Sequence, residues 1–316
     1  MNNEIVLAAD LGGTNLRMAA IDETGKILYR AHRETPRRAT RPEEIVREIT
    51  AAAAECREHC AEFTVKTITA AVPAIINVEC GVIIKAPNLP ALDNFRIVAA
   101  LEDELGIKAF LENDANAAAL GEAWLGASKD FASSICVTLG TGVGGGIIID
   151  GKIRRGMDGT AGEIGHICVE PFGAPCGCGA RGCVEQYASA TAAVRLARDL
   201  ESQYPHSELN RNPQLTALDV YRAGTRGDAL ALEVFRQMGF YLGIALSGLI
   251  NVLNPEIIVI GGGASAGWSL FLPHLKKTIF ERSYREPALR AQISLASLGD
   301  DAGIIGAARS AFDLLT

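Results

Sequence analysis

The 316-residue chain has no excess of positive charge: 37 Asp and Glu residues outnumber 30 Lys and Arg, for a formal net charge of -7. That lack excludes a nucleic-acid binder working through a basic face or stripe. It leaves room for an anionic ligand held by backbone N–H groups, which needs few formal charges. Long apolar runs are also missing, the longest stretches being broken well short of the roughly 20 residues a membrane span requires. The opening MNNEIVLAADLGG lacks a basic region, and its apolar stretch is too short for a signal peptide. No linker rich in Pro or Ser and no low-complexity segment marks a domain boundary. These absences predict a cytoplasmic protein with neither membrane nor nucleic acid as partner. What is present, 48% hydrophobic and 21% charged residues, is ample for a buried core and excludes dominant disorder. The length suggests about two domains. Two counts stand out, 33 glycines and 8 cysteines.

Alternation and β-branched content predict strands over residues 5–10, 16–21 and 26–32, with Gly12-Gly13 and Thr24-Gly25 as turns. Pro42 opens a helix whose apolar positions Ile45, Ile49, Ala52, Ala53 and Cys56 recur at helical period. A strand over 65–72 stops at Pro73, and 79–94 reads as a hairpin and loop. A helix over 97–105 and a strand over 108–111 lead to Glu112-Asn113-Asp114, then to a small-residue helix over 115–125. Hairpins mixed with a crossover predict a mixed sheet. From Ser133 the plan repeats: a strand over 135–139, a glycine turn over 140–146, and a strand over 146–149 closed by the hairpin signal Asp150-Gly151. The later third reads as helices over 190–200, 216–223 and 230–253, strands over 257–260 and 293–298, and a last helix over 302–315. The expected division is a smaller α/β domain, 1–113, holding the first glycine turn, and a larger one, 114–316, with the C-terminal helix packing back on the smaller.

Each glycine turn closes a strand. In Asp10-Leu11-Gly12-Gly13-Thr14-Asn15-Leu16-Arg17 the paired glycines let the backbone turn tightly and aim N–H groups at a phosphate. Thr14 adds a hydroxyl, and Asp10 is placed to hold Mg2+ or a water on it. A plain hairpin would account for Gly-Gly by itself. The second turn, Gly140-Thr141-Gly142-Val143-Gly144-Gly145-Gly146, runs into a strand, so it is no dinucleotide fingerprint. No Lys-Ser or Lys-Thr follows it, so it is no P-loop. Its glycines suit backbone lying close to a phosphate chain. Gly261-Gly262-Gly263-Ala264-Ser265 is a third turn, readable equally as a strand-to-helix connection.

The most specific signal is Gly162-Glu163-Ile164-Gly165-His166 followed by Cys176, Cys178, Cys183 and Glu185. His166 with the three cysteines forms a tetrahedral zinc complement; four protein ligands close the site, so its role is structural, pinning the loop that holds Glu163 and Glu185. In a reducing compartment thiols this close do not persist as disulfides. Cys56, Cys60, Cys80, Cys136 and Cys168 read as ordinary buried thiols. Asp114 alone would be a helix N-cap. At a strand end facing glycine turns, it is also placed to accept a proton from a substrate hydroxyl, with Asn113 bonding its neighbour.

In order and over nearly the whole length, these motifs resemble the ROK family: D-L-G-G-T-N-x-R, E-N-D-A-N-A-A-A-L-G-E, G-T-G-V-G-G-G, G-E-I-G-H, C-x-C-G-x-x-G-C-x-E, and Asp301-Ala302-Gly303 opening the last helix. The family comprises sugar kinases and related repressors with a two-domain actin-like (ribonuclease H-like) ATPase fold of mixed sheets. The resemblance implies transfer of the γ-phosphoryl of ATP to a hexose, with Mg2+ and a structural Zn2+. The 6-hydroxyl of glucose is the favoured acceptor, ahead of N-acetylmannosamine, N-acetylglucosamine or fructose. It implies Asp114 as catalytic base and Asn88, Asn113, Asp114, Glu163, His166 and Glu185 as hexose contacts. It implies Gly12, Gly13, Thr14, Thr141 and Gly142 on the phosphates, Gly262 and Gly263 on the adenosine side, and Asp10 near the magnesium. His166 is doubly employed, one ring nitrogen on zinc and the ring edge towards the sugar. A homodimer is implied, as is closure of the two domains over the substrates.

One departure stands beside the sugar site: Pro73-Ala74 replaces the family's usual Pro-Gly, adding a methyl and excluding some backbone angles. A sugar-responsive repressor is not expected, because nine residues before Asp10 leave no room for a winged-helix domain. A sugar binder without catalysis would need Asp114 or the phosphate turns degraded, and both are intact.

Overall fold

In the computed structural model, which describes residues 3–315, β1 (Glu4–Leu11) is buried on both faces and organises the first of two compact units. Ile5, Leu7, Ala9 and Leu11 lie with Ile45, Ile49 and Cys56 of α1 (Pro42–His59), while Val6 and Ala8 lie with Ile304, Ile305 and Ala308 of α10 (Ala302–Leu315). A period-2 strand that is apolar at every position from Ile5 to Ala9 needs cover on each side, and the two helices supply it. β2 (Asn15–Asp22) and β3 (Ile27–Glu34) extend the sheet antiparallel on one edge; β4 (Thr64–Val72) and β7 (Lys108–Asn113) extend it parallel on the other, giving the order β3-β2-β1-β4-β7. The mixed sheet expected from the element order is therefore present. Between β4 and β7 the chain forms the hairpin of β5 (Ile75–Asn77) and β6 (Val82–Lys85), then α2 (Ile97–Leu105), which ends at Gly106 in the left-handed region.

The units do not divide at Asn113 as the sequence reading has it. The first holds the described residues up to Asp130, Gly146–Gly162, and the chain from Ser297 onward. The second holds Phe131–Gly145 and Glu163–Ala296. The cause lies in α3 (Asp114–Trp124), which packs on α10 with backbones touching. A Cβ at Gly306 would stand 1.6 Å from the Ala117 carbonyl oxygen, and one at Gly121 2.2 Å from that of Ala302. So close a seam keeps α3 in the first unit. From Gly146 onward, the hairpin of β9 (Val143–Ile149) and β10 (Lys152–Ile153) also belongs to it.

In the second unit β8 (Ser134–Leu139) pairs parallel with β11 (Ile257–Gly261), which pairs parallel with β12 (Gln292–Leu295). Its helices are α4 (Glu185–Ala188), α5 (Ala190–Leu200), α6 (Ala217–Thr225), α7 (Ala229–Leu253), α8 (Trp268–Arg282) and α9 (Arg285–Arg290). By length and composition α7 is apolar enough to cross a membrane. Here it packs along α8, with Gly239 against the Phe271 carbonyl and Gly243 against Thr278, as a core helix does.

Four details differ from expectation. The sequence reading has no helix over 268–282, because Pro273 inside α8 interrupts the pattern that would signal it. β12 stops at Leu295, since Ser297 and Leu298 turn their N–H groups to the buried carboxylate of Glu122, at 2.9 to 3.1 Å. β9 begins at Val143, inside the supposed glycine turn; Gly146 is small because a Cβ there would lie 2.5 Å from that of Ala119. Cys80 and Cys168 are exposed rather than buried.

The α3–α10 seam predicts opposite outcomes for two glycine replacements. Gly306→Ala forces a methyl into backbone and should cost about 3 kcal/mol or more in urea unfolding. Gly248→Ala, on the exposed side of α7 with nothing within 4 Å of the new methyl, should gain about 1 kcal/mol from helix propensity. Equal effects of the two would contradict the seam.

Candidate functional site

The residues singled out from the sequence fall into two groups, one in each unit. In the first, β1 and β2 run antiparallel with Asp10 opposite Arg17, and the turn joining them is locked by three bonds. Gly12 N–H donates to the Asn15 carbonyl at 2.9 Å. Thr35 Oγ1 donates to the Gly12 carbonyl at 2.8 Å, and Thr35 N–H to the Thr14 carbonyl at 2.9 Å. Gly12 is therefore not an available donor, contrary to the simplest phosphate-turn picture. The N–H groups of Gly13 and Thr14 make no hydrogen bond among the described residues, and Thr14 is exposed. They are the donors this turn offers an anion. Asn88 lies alongside, its Cβ 3.6 Å from where a Cβ on Gly13 would stand.

Asp10 sits at the end of β1 with its side chain one-fifth exposed. Burial holds its carboxyl above the ordinary range; the Arg17 guanidinium, 3.8 Å away, opposes that shift and Asp300 adds to it. Arg17 is itself aimed by the Asp300 carbonyl at 2.9 Å and carboxylate at 3.3 Å. Gly303, in the first turn of α10, brings its backbone so close that a Cβ would stand 3.3 Å from the Asp10 carboxyl. A partly buried carboxylate between one cation and a helix start is chemically fit to hold a divalent cation.

At the β7–α3 corner the capping residue is Asn113, not Asp114. Asn113 Oδ1 accepts from Ala115 N–H at 2.9 Å and Asn116 N–H at 3.1 Å, and its Nδ2 points to the Ala74 carbonyl at 3.4 Å. Any sugar contact through Asn113 thus falls to Nδ2. Asp114, half-buried, takes a 2.9 Å bond from Ala115 N–H on Oδ1. Ala74 is not among the non-glycine residues with positive φ, so alanine fits the backbone at this turn without strain.

In the second unit β8 ends at a turn whose Thr141 and Gly142 N–H groups likewise have no hydrogen-bond partner among the described residues. The turn is fixed by Ala190 N–H to the Gly140 carbonyl and Thr191 Oγ1 to the Thr141 carbonyl, each at 2.8 Å. Glu185 Oε2 accepts the Val143 N–H at 3.1 Å, and any Cβ at Gly142 would collide with it at 2.3 Å. Gly165 rests on the Val143 carbonyl, which draws the Glu163–His166 segment against the same turn. The third turn meets the end of β8: Gly262, at φ +82°, would place a Cβ 2.5 Å from the Leu139 carbonyl oxygen.

His166 Nδ1 lies 3.6 Å from Cys176 Sγ, and Cys178 Sγ lies 3.7 Å from Cys183 Sγ. The four candidate ligand atoms all fall within 4.8 Å of one another. Tetrahedral zinc with ordinary bond lengths requires N–S and S–S separations of about 3.6 and 3.8 Å. The donor set therefore fits that ion in kind, and these two pairs fit it in spacing. The other ring nitrogen of His166, Nε2, faces Glu163 Oε2 at 3.8 Å. Gly182 permits the fold of the loop, since a Cβ there would fall 1.6 Å from the Glu170 carbonyl oxygen. A backbone N–H from Ala180 draws the Cys178 thiol down, while burial pushes Cys183 up to about 12.

The structure thus gathers Asp10, Gly12, Gly13, Thr14, Asn88, Asn113 and Asp114 in the first unit, and Thr141, Gly142, Glu163, His166, Glu185, Gly262, Gly263 and the three cysteines in the second. The sequence reading missed Arg17 and Thr35. Arg17 was detectable as the residue opposite Asp10 across a two-strand hairpin; Thr35, some twenty residues beyond the turn it locks, carried no local signal.

The sequence model of the ROK family matches residues 6–313. A glucokinase of Halalkalibacterium halodurans is 38% identical over 314 residues, covering 97% of this chain and 94% of that protein. One from Thermotoga maritima is 36% identical, covering 96% of each. Among solved structures, a ROK family glucokinase from Streptomyces griseus in complex with glucose and AMPPNP superposes with a TM-score of 0.80 at 34% identity, covering 96% of this chain and 98% of that one. The mixed-sheet α/β fold is that of these sugar kinases.

The raised pKa of Asp10 has a consequence for stability. A group raised on folding favours the native state at low pH and loses that contribution as pH rises through its folded value. At pH 7 without divalent cation, Asp10→Asn should therefore melt at or above the wild-type temperature, with the difference vanishing below about pH 4. A lower melting temperature at pH 7 would contradict the assignment.

Proposed function

The chain belongs to the ROK family, and we infer that it is an ATP-dependent glucose kinase, giving glucose 6-phosphate and ADP. The observation that carries the mechanism is the division of labour at the β7–α3 corner: Asn113 caps the helix, which leaves the role of base to the neighbouring carboxylate of Asp114. Asp114 accepts the proton of the sugar 6-hydroxyl. The oxygen forms a bond to the γ-phosphorus as the bond from that phosphorus to the β–γ bridging oxygen breaks, and its electron pair leaves on ADP. Such transfer depends on positioning and charge stabilisation more than on covalent chemistry. The N–H groups of Gly13, Thr14, Thr141 and Gly142 supply the donors for phosphate oxygens. Gly262 and Gly263 border the adenosine.

Asn88, Asn113 Nδ2, Glu163, His166 Nε2 and Glu185 contact the hexose hydroxyls, and a sugar lacking a matching hydroxyl leaves one of them unpaired. Mg2+ held at Asp10 would neutralise phosphate charge. Zinc held by His166, Cys176, Cys178 and Cys183 would fix the tautomer of His166, so that Nε2 faces the sugar beside Glu163. Reduced thiols imply the cytoplasm, and the family a homodimer.

ADP release measured across glucose, mannose, fructose, N-acetylglucosamine and N-acetylmannosamine tests this reading. Glucose should give the highest kcat/KM, and Asp114→Asn should lower kcat about 100-fold or more. Undiminished turnover of that variant removes Asp114 as base; a better sugar than glucose overturns the acceptor alone. Metal analysis of purified protein should find one zinc per chain, lost with activity in Cys178→Ser. Active protein free of metal would contradict the four-ligand site.

A further inference from the structure

A second carboxylate, that of Glu112, lies two residues before Asp114 in the chain. Glu112 lies one pair from the end of the parallel pairing of β7 with β4, opposite Ala71, and its side chain is 0% exposed. A buried carboxylate needs every lone pair answered, and this one is answered five times. Oε2 accepts from Arg155 Nε at 3.0 Å, Arg155 Nη2 at 2.5 Å and Ser310 Oγ at 3.0 Å. Oε1 accepts from the peptide N–H of Asn113 at 3.1 Å and from Asn116 Nδ2 at 3.3 Å. The two groups held by Oε1 flank Asp114, one before it in the chain and the other in the first turn of α3. Those held by Oε2 come from distant parts of the same unit, the segment after β10 and the last turns of α10.

The geometry points to Glu112 and Arg155 as positioning residues for phosphoryl transfer: the Glu112 carboxylate, oriented by Arg155, fixes the direction in which Asp114 presents its own. This rests on Asp114 being the base. A buried ion pair adds little to stability compared with apolar packing, so its charge requires another explanation. A five-donor network supplies one, because it admits a single arrangement of the backbone and side chains on either side of Asp114. Glu112→Gln cannot reproduce it: one oxygen becomes an NH2 group, confronting donors with a donor, and Arg155 loses its counter-charge.

The test is steady-state kinetics on folded protein for Glu112→Gln and Arg155→Lys, with Asp114→Asn alongside, sugar affinity being read by calorimetry. Arg155→Lys keeps the charge and loses the forked donors, so it remains informative should the first variant fail to fold. Misplacing the base should lower kcat roughly 10- to 100-fold while KM for ATP and the dissociation constant for glucose stay within about twofold. Wild-type kcat in either folded variant overturns the inference, as does a loss of kcat accompanied by equal loss of glucose and ATP affinity, the mark of a merely structural role. Full activity of Asp114→Asn would instead remove the reading on which it rests.

Discussion

Helices α3 and α10 touch backbone to backbone, and the arrangement of the first unit depends on that contact. Ordinary helix pairs hold their axes about 8 to 10 Å apart through interleaved side chains. Here Gly121 and Gly306 remove the side chains, and carbonyl oxygens of Ala302 and Ala117 occupy the space. With α10 so placed, its first turn brings Gly303 against Asp10, its middle rests on α3, and its last turns offer Ser310 to Glu112. One helix therefore sets both the carboxylate at the end of β1 and the strand end that carries Asp114. It also explains why residues from the C-terminus belong with the first 130.

An acidic protein that handles a polyanion must find its positive charge elsewhere. Among the described residues, the turns after β1 and β8 each leave two peptide N–H groups without partners, while side-chain and backbone bonds from Thr35 and Thr191 hold those turns rigid. Rigid dipoles cost little reorganisation when charge develops on them. Buried acids receive the converse treatment: Glu112 is surrounded by donors, and Glu122 gathers the N–H groups of Ala127, Ser297 and Leu298. Asp10 is the exception, with one cation at 3.8 Å and no hydrogen-bond donor on its carboxylate among the described residues, as suits a cation ligand.

Strands, the principal helices and the residue types of the site were legible in the sequence because each leaves a local trace: alternation, helical period, a glycine pair after a strand, clustered cysteines. The domain boundary was not, because the cause, two glycines on helices 185 residues apart, has no local signature (Gly121 and Gly306). Glycines of the second turn also meet packing demands that spacing does not show; Gly146 makes room for Ala119, and Gly142 for Glu185. Asp114 and Asn113 could not be ranked as cap and base from spacing, since either residue caps helices well. The direction of Asn113 Oδ1 identifies Asn113 as the cap. The candidate metal ligands were the most legible of all, because four donors of fixed chemistry must lie close together whatever the surrounding fold.

The central claim is that a phosphoryl group passes from ATP to one particular sugar oxygen. Incubating the protein with ATP, Mg2+ and uniformly 13C-labelled glucose, and following 31P and 13C resonances together, tests it most directly. The account predicts one ester resonance coupled to C6, appearing in step with ADP. A phosphate on another carbon, or inorganic phosphate released with glucose unchanged, would contradict it.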